Sequence, residues 1–150
     1  MIRGNLITLA EEGIFDVIVH GCNCFHVMGA GIAKEIATRY HEIADIDKYL
    51  TKYGDINKLG NYTWKKVTAP NGYTFNIINA YTQYHYGRKK EMYVDYNAIR
   101  SVFNKIRQQF PKAKIGYPRI GAGLAGGNWA IIQQIINQEL RGLKHELVVL

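Results

Sequence analysis

A chain of 150 residues with 47% hydrophobic and 21% charged side chains has room for one packed core, and this balance excludes intrinsic disorder. Its net charge of +7 draws it towards anionic partners, among which nucleotides, nucleic acid and acidic surfaces are all allowed. The start Met1-Ile2-Arg3-Gly4 carries no signal-peptide core and no apolar run reaches the roughly 20 residues of a membrane span, so a cytoplasmic setting without a membrane partner is expected.

The near-continuous apolar run from Asp16 to His20 predicts a strand buried on both faces. It enters a glycine-punctuated loop, His20-Gly21-Cys22-Asn23-Cys24 and on through Met28-Gly29-Ala30-Gly31-Ile32. From Gly31 the spacing of Ile32, Ala33, Ile36, Ala37 and Tyr40 predicts an amphipathic helix. Two strands, Tyr62 to Thr68 and Tyr73 to Ala80, are joined at Pro70-Asn71-Gly72, a hairpin signal. A helix from about Asp95 to Phe110 is stopped by Pro111. Ala113 to Tyr117 is a short strand that enters a second glycine loop, Pro118-Arg119-Ile120-Gly121-Ala122-Gly123-Leu124-Ala125-Gly126-Gly127. Asn128 caps a helix that buries Ile132, Ile135, Ile136 and Leu140, and Glu146 to Leu150 closes the chain as a strand.

Strands alternating with helices give an α/β fold with a mixed central sheet covered on both faces, a three-layer α/β/α sandwich spanning 1–150 as one domain. Ligands of such sheets sit beyond the carboxyl ends of the strands, where both glycine loops would lie. Backbone N–H groups at a helix N-terminus favour phosphate, so two such loops suggest a ligand long enough to touch both. Gly121-Ala122-Gly123-Leu124-Ala125-Gly126 also matches G-x-G-x-x-G, with Glu146 about 20 residues on, where a ribose-binding acid belongs. Only four residues follow Glu146, too few for the rest of a dinucleotide-binding half, and Pro118-Arg119-Ile120 separates the motif from its strand. Cys22 and Cys24 are the chain's two cysteines, and they read as buried thiols with no disulfide between them. With His26 they lack the spacing of a zinc site, and no metal is expected.

The two loops in this order resemble the macro domain, an ADP-ribose-binding α/β/α fold. Gly4-Asn5-Leu6 stands where that family commonly has G-D-I, and Val17 to Asn23 stands where it has a strand ending in N-A-A-N. The resemblance implies Asn5 and Leu6 near the adenine, Asn23 at the distal ribose, and Gly29, Ala30, Gly31 and Ile32 with Gly121, Ala122, Gly123, Leu124 and Ala125 around the two phosphates. His20-Gly21-Cys22-Asn23-Cys24, Gly29 to Ala33 and Arg39-Tyr40 look like the branch that includes the yeast-type ADP-ribose 1″-phosphate phosphatase. Pro118-Arg119-Ile120-Gly121 and Gly123-Leu124 are similar to the branch that removes ADP-ribose from protein carboxylates. That second branch has an aspartate where Ala125 stands, and its lysine nucleophile has no secure counterpart among Arg88, Lys89 and Lys90. The implied activity is hydrolysis of ADP-ribose 1″-phosphate without a cofactor. The alternatives are release of ADP-ribose from modified protein or nucleic acid, and binding of ADP-ribose without catalysis.

Such hydrolysis needs the distal ribose held still, the transferred charge neutralised, and a base or nucleophile in reach. The Asn23 amide can both donate to and accept from ribose hydroxyls. His20, at a strand end beside that ribose, is the leading catalytic residue, as base or phosphate acceptor. His85, in an aromatic loop, ranks second, and His26 lies close enough to the first loop to meet a phosphate.

Overall fold

A computed structural model describes residues 1–87 and 89–150; Arg88 lies outside the described residues. The apolar run after Asp16 forms β2 (Val17–Cys22), preceded by a short strand β1 (Ile2–Arg3) and a short helix α1 (Leu6–Glu11). Helices α2 (Gly31–Arg39) and α3 (His41–Leu50) follow, then β3 (Tyr62–Thr68) and β4 (Thr74–Tyr81). Helix α4 (Tyr96–Gln109), β5 (Lys114–Tyr117), α5 (Trp129–Glu139) and β6 (Lys144–Val149) complete the order. The strands form a six-stranded sheet in the order β1-β6-β5-β2-β4-β3. Every neighbouring pair is parallel except β3 with β4, which makes the sheet mixed, as the alternation of elements requires.

Successive side chains along β2 leave on opposite faces and divide the core in two. Val17 and Val19 join Ile78, Ile115, Phe103 and Ile136 beneath α4 and α5. Ile18 joins Ile77, Phe75, Leu6, Ile36 and Ile43 beneath α1, α2 and α3. A parallel strand covered on both faces has no solvent side, which is why its sequence shows no polar alternation. The hairpin closes where Pro70-Asn71-Gly72 places it: Ala69 N–H donates to the Tyr73 carbonyl (2.7 Å), and Gly72 adopts φ +93. The Asp95 and Asn128 side chains accept from the Ala98 and Ala130 N–H groups and cap α4 and α5.

Besides the two-residue β1, three elements depart from the sequence expectation. The helix that begins at Gly31 breaks at Tyr40 (φ −131, ψ 78), and the chain restarts as α3. Periodicity hides α3, because Asp47 occupies a buried position on its inner face. The last strand begins at Lys144, two residues before Glu146, because Lys144 pairs with Lys114 of β5. Helix α1, six residues long, is too short for a periodic signal.

Gly116 in β5 shows how closely α1 lies on the sheet. A Cβ built there would stand 2.8 Å from Phe15 ring atoms and 2.9 Å from Leu6 Cδ1. Gly116→Ala is therefore expected to destabilise the fold by about 1–3 kcal/mol through overpacking, read as a lower midpoint in urea with an unchanged m value.

Candidate functional site

Because β5, β2 and β4 are adjacent and parallel, their carboxyl ends open on the same edge of the sheet. A cavity of about 610 Å³ lies there, within the range of about 300–1,000 Å³ usual for small-molecule sites. Its walls are the end of β2 with the loop after it (Gly21, Cys22, Asn23, Val27, Gly29, Ala30), the first turn of α2 (Gly31, Ile32, Ala33), and the loop after β5 (Pro118 to Gly121, Gly123 to Ala125). A further wall comes from the loop after β4, through Gln83, Tyr86 and Gly87. Arg119 is the one side chain on these walls with a permanent charge among the described residues.

Two rows of backbone donors face one another across the space. Helix α2 starts at Ala30 with no side-chain cap, and its first intrahelical bond is Lys34 N–H to the Ala30 carbonyl. The N–H groups of Gly31, Ile32 and Ala33 thus have no acceptor among the described residues, at the positive end of the helix dipole. In the opposite loop the N–H groups of Gly123, Leu124 and Ala125 are likewise without an acceptor among the described residues. N–H groups left without an acceptor at a cavity wall suit an anionic ligand.

The glycines of the second loop divide by purpose. Gly121 (φ +76) and Gly126 (φ +75) need the left-handed region, and a Cβ on Gly126 would stand 2.6 Å from the Glu91 carbonyl oxygen. A Cβ on Gly127 would meet the Gly121 carbonyl oxygen at 2.6 Å. Gly123 differs, since its Cβ would meet nothing within 4 Å, and Gly29 has only a Val27 methyl at 3.9 Å. Those two glycines keep space open in the cavity; the others let the loop fold on itself and on residues 91–94.

The residues singled out by sequence do not all meet there. Asn23 is on the wall, but its amide is engaged within its own loop. Nδ2 donates to the Val27 carbonyl (2.9 Å), and Oδ1 accepts from the N–H groups of Phe25 (2.9 Å) and Val27 (3.4 Å). One Nδ2 hydrogen remains for a ligand. Asn5 and Leu6 lie outside the cavity walls: Asn5 caps α1 through Thr8 N–H and donates to Glu35 (3.0 Å), while Leu6 is buried in the core. Ala122 packs against the core beneath α5 and also stays off the walls.

His20 is the largest departure. It is fully buried, on the face of β2 opposite Val19, and is not part of the cavity wall. Nε2 lies 2.6 Å from Asn79 Oδ1. Asn79 Nδ2 donates to the Ile43 carbonyl (3.0 Å) and to Thr63 Oγ1 (3.2 Å), which fixes the amide so that its oxygen faces the imidazole and Nε2 carries the proton. Burial lowers the His20 pKa to about 4, against the raising effects of the Asn79 bond and the Asp47 charge. A neutral imidazole with its proton committed to a core amide is placed to hold β2 against β4, and the strand alternation that sends it inward cannot be read without knowing which face α3 covers.

Cys22 lines the cavity, but its thiol lies inward with Sγ 3.6 Å from His20 Nε2; burial and then the Asp47 charge raise the thiol well above the usual range, and it stays protonated. His85 is exposed and stacks on Phe25 (4.5 Å between centroids); its neighbour Tyr86 forms the wall instead. His26, with φ +59, bonds Thr51 Oγ1 at 2.9 Å. Gln83 and Tyr86 were missed because their loop joins the site only through the pairing of β4 with β2, a tertiary fact.

This architecture is the macrodomain fold. The chain superposes on the macrodomain of Thermus aquaticus DarG with a TM-score of 0.72 and 19% identity, covering 99% of this chain and 95% of that one. It superposes on Thermosipho africanus DarTG in complex with ADP-ribose with a TM-score of 0.72 and 18% identity, covering 91% of this chain and 38% of that one. No family model matches the sequence. An uncharacterized 17.5 kDa protein of the tk-vs intergenic region of enterobacteria phage T4 is 37% identical over 138 residues, 91% of this chain and 86% of the phage protein. The chain belongs to the same family as that phage protein.

The depressed His20 pKa ties stability to pH. Folding favours the neutral ring, so its contribution, about 3 kcal/mol at most, is complete above pH 6.5 and is lost as the pH falls from there towards 4. His20→Gln is expected to flatten the fall in melting temperature between pH 6.5 and pH 5 by more than half; an unchanged slope would show that another group governs this window.

Proposed function

We propose that the cavity binds ADP-ribose and that the protein hydrolyses ADP-ribose 1″-phosphate to ADP-ribose and phosphate. The observation that carries the reading is the pair of acceptor-free amide rows, at Gly31 to Ala33 and Gly123 to Ala125, on facing walls of one cavity. A pyrophosphate spans such a cleft and is held by backbone donors without a metal. The fold shared with a structure solved in complex with ADP-ribose supports the same ligand.

In this reading Asn23 shapes the loop over the distal ribose and offers its remaining Nδ2 hydrogen to a hydroxyl. Water attacks phosphorus, the bond from phosphorus to the C1″ oxygen breaks, and that oxygen takes a proton to become the ribose hydroxyl. A loose phosphoryl-transfer transition state asks mainly for positioning and charge neutralisation, which the amides and Arg119 supply. His20 acts through the placement of β2 and not by touching the substrate. A second reading, a protein that binds ADP-ribose without turnover, is favoured by one observation: among the described residues the walls hold no carboxylate and no imidazole.

Calorimetry is expected to give a micromolar or tighter dissociation constant for ADP-ribose and much weaker binding of NAD, whose nicotinamide would collide with the first loop. Gly123→Val is expected to weaken ADP-ribose binding by about tenfold or more with an unchanged melting temperature, since its side chain enters space that only a ligand would fill. Phosphate release from ADP-ribose 1″-phosphate separates the two readings; its absence from a protein that binds ADP-ribose would leave the binder, or an enzyme acting on ADP-ribosylated protein or nucleic acid.

A further inference from the structure

The first loop is held from behind by two buried charges that neither the fold nor the cavity explains. Asp47 on α3 is 2% exposed, and Lys58, at the end of a 3-10 turn (Ile56–Lys58), is 7% exposed. Lys58 Nζ lies 3.5 Å from Asp47 Oδ1, 3.4 Å from the Cys24 carbonyl oxygen, and 4.6 Å from the centre of the Tyr81 ring. The Tyr81 hydroxyl donates to Asp47 Oδ1 at 2.7 Å. Cys24 directly follows Asn23, and its carbonyl also accepts from Gly54 N–H at 2.8 Å. Thr51 donates to the Asp47 carbonyl and bonds His26 of the same loop.

Burying an ion pair costs several kcal/mol per charge in desolvation, and apolar replacements of similar size are often neutral or stabilising. Core stability therefore gives little reason for this pair. Its distinctive contact is with the loop: the ammonium reaches a backbone oxygen one residue after Asn23, where an apolar side chain could make no bond. We propose that Asp47 and Lys58 are positioning residues that set the first loop against the cavity. Asp47 holds the ammonium, the ammonium holds the Cys24 carbonyl, and that carbonyl fixes the turn in which Asn23 and the start of α2 stand. The link to ligand affinity rests on the ADP-ribose reading; the link to loop geometry does not.

The test uses the full chain with Asp47→Asn and Lys58→Met together, which removes both charges and leaves an acceptor for the Tyr81 hydroxyl. Asp47→Leu with Lys58→Met is the second variant, and Gly116→Ala is a destabilised control whose substitution lies off the cavity wall. Amide exchange of residues 22–30 is expected to quicken by about tenfold in the paired variants while global exchange and melting temperature stay near wild type. ADP-ribose affinity is expected to fall by about fivefold or more in the paired variants and to hold in Gly116→Ala, so that affinity follows the loop and not stability. Unchanged loop exchange, affinity that simply tracks melting temperature, or failure of both paired variants to fold would each overturn the proposal. If the wild type binds no ADP-ribose, the functional reading fails by itself, and loop exchange still decides the positioning role.

Discussion

The parallel pairing of β2 with both β5 and β4 is the constraint from which the site follows. Val17 lies opposite Ile115 on one side and Asn76 on the other, so three strands deliver their carboxyl ends to one edge. A parallel strand must be followed by a crossover, and each crossover here begins as a loop over that edge. Two of these loops lead through glycines into α2 and α5, and their free amides therefore meet across the same space. An antiparallel neighbour at either position would have sent one loop to the opposite end of the sheet and left no shared cavity.

Within the loops, the same residue type answers two different physical demands. Gly121 and Gly126 occupy the left-handed region, and Gly127 approaches the Gly121 carbonyl more closely than any Cβ allows, so these positions shape the loop. Gly29 and Gly123 are in neither situation, and what they contribute is empty volume beside polar N–H groups. A glycine kept for volume has its consequence at the ligand, whereas one kept for conformation has its consequence in the fold.

The polar interior behind the first loop has a division of its own. His20, Asn79 and Thr63 form a neutral chain whose donors and acceptors match, which lets an imidazole sit in the core without its charge. Beside it, Tyr81 bonds Thr63 on one side and Asp47 on the other, joining the neutral chain to a charged one. The first chain ties β2 to β4 and α3; the second reaches the backbone of the loop itself. Both lie on the face of the sheet covered by α3, the helix least visible in the sequence.

Hydrophobic periodicity and turn chemistry, which are local properties, were enough to read the strand into the first loop, the hairpin at Pro70-Asn71-Gly72, the helix from about Asp95, the cap at Asn128, and a mixed sheet between helices. The two glycine loops were readable for the same reason, since glycine spacing after a strand and before a helix is itself a local signal. Side-chain destination was not. His20 and Cys22, two residues apart at one strand end, both send their side chains into the interior, and only Cys22 of the two also lines the cavity; Asn5 spends its amide on a helix cap and Glu35; Gln83 and Tyr86 join the site from the loop in which the sequence pointed to His85. Those outcomes depend on strand order and on which helix covers which face, and these are set by burial summed over contacts far apart in the chain, so tertiary structure alone decided them.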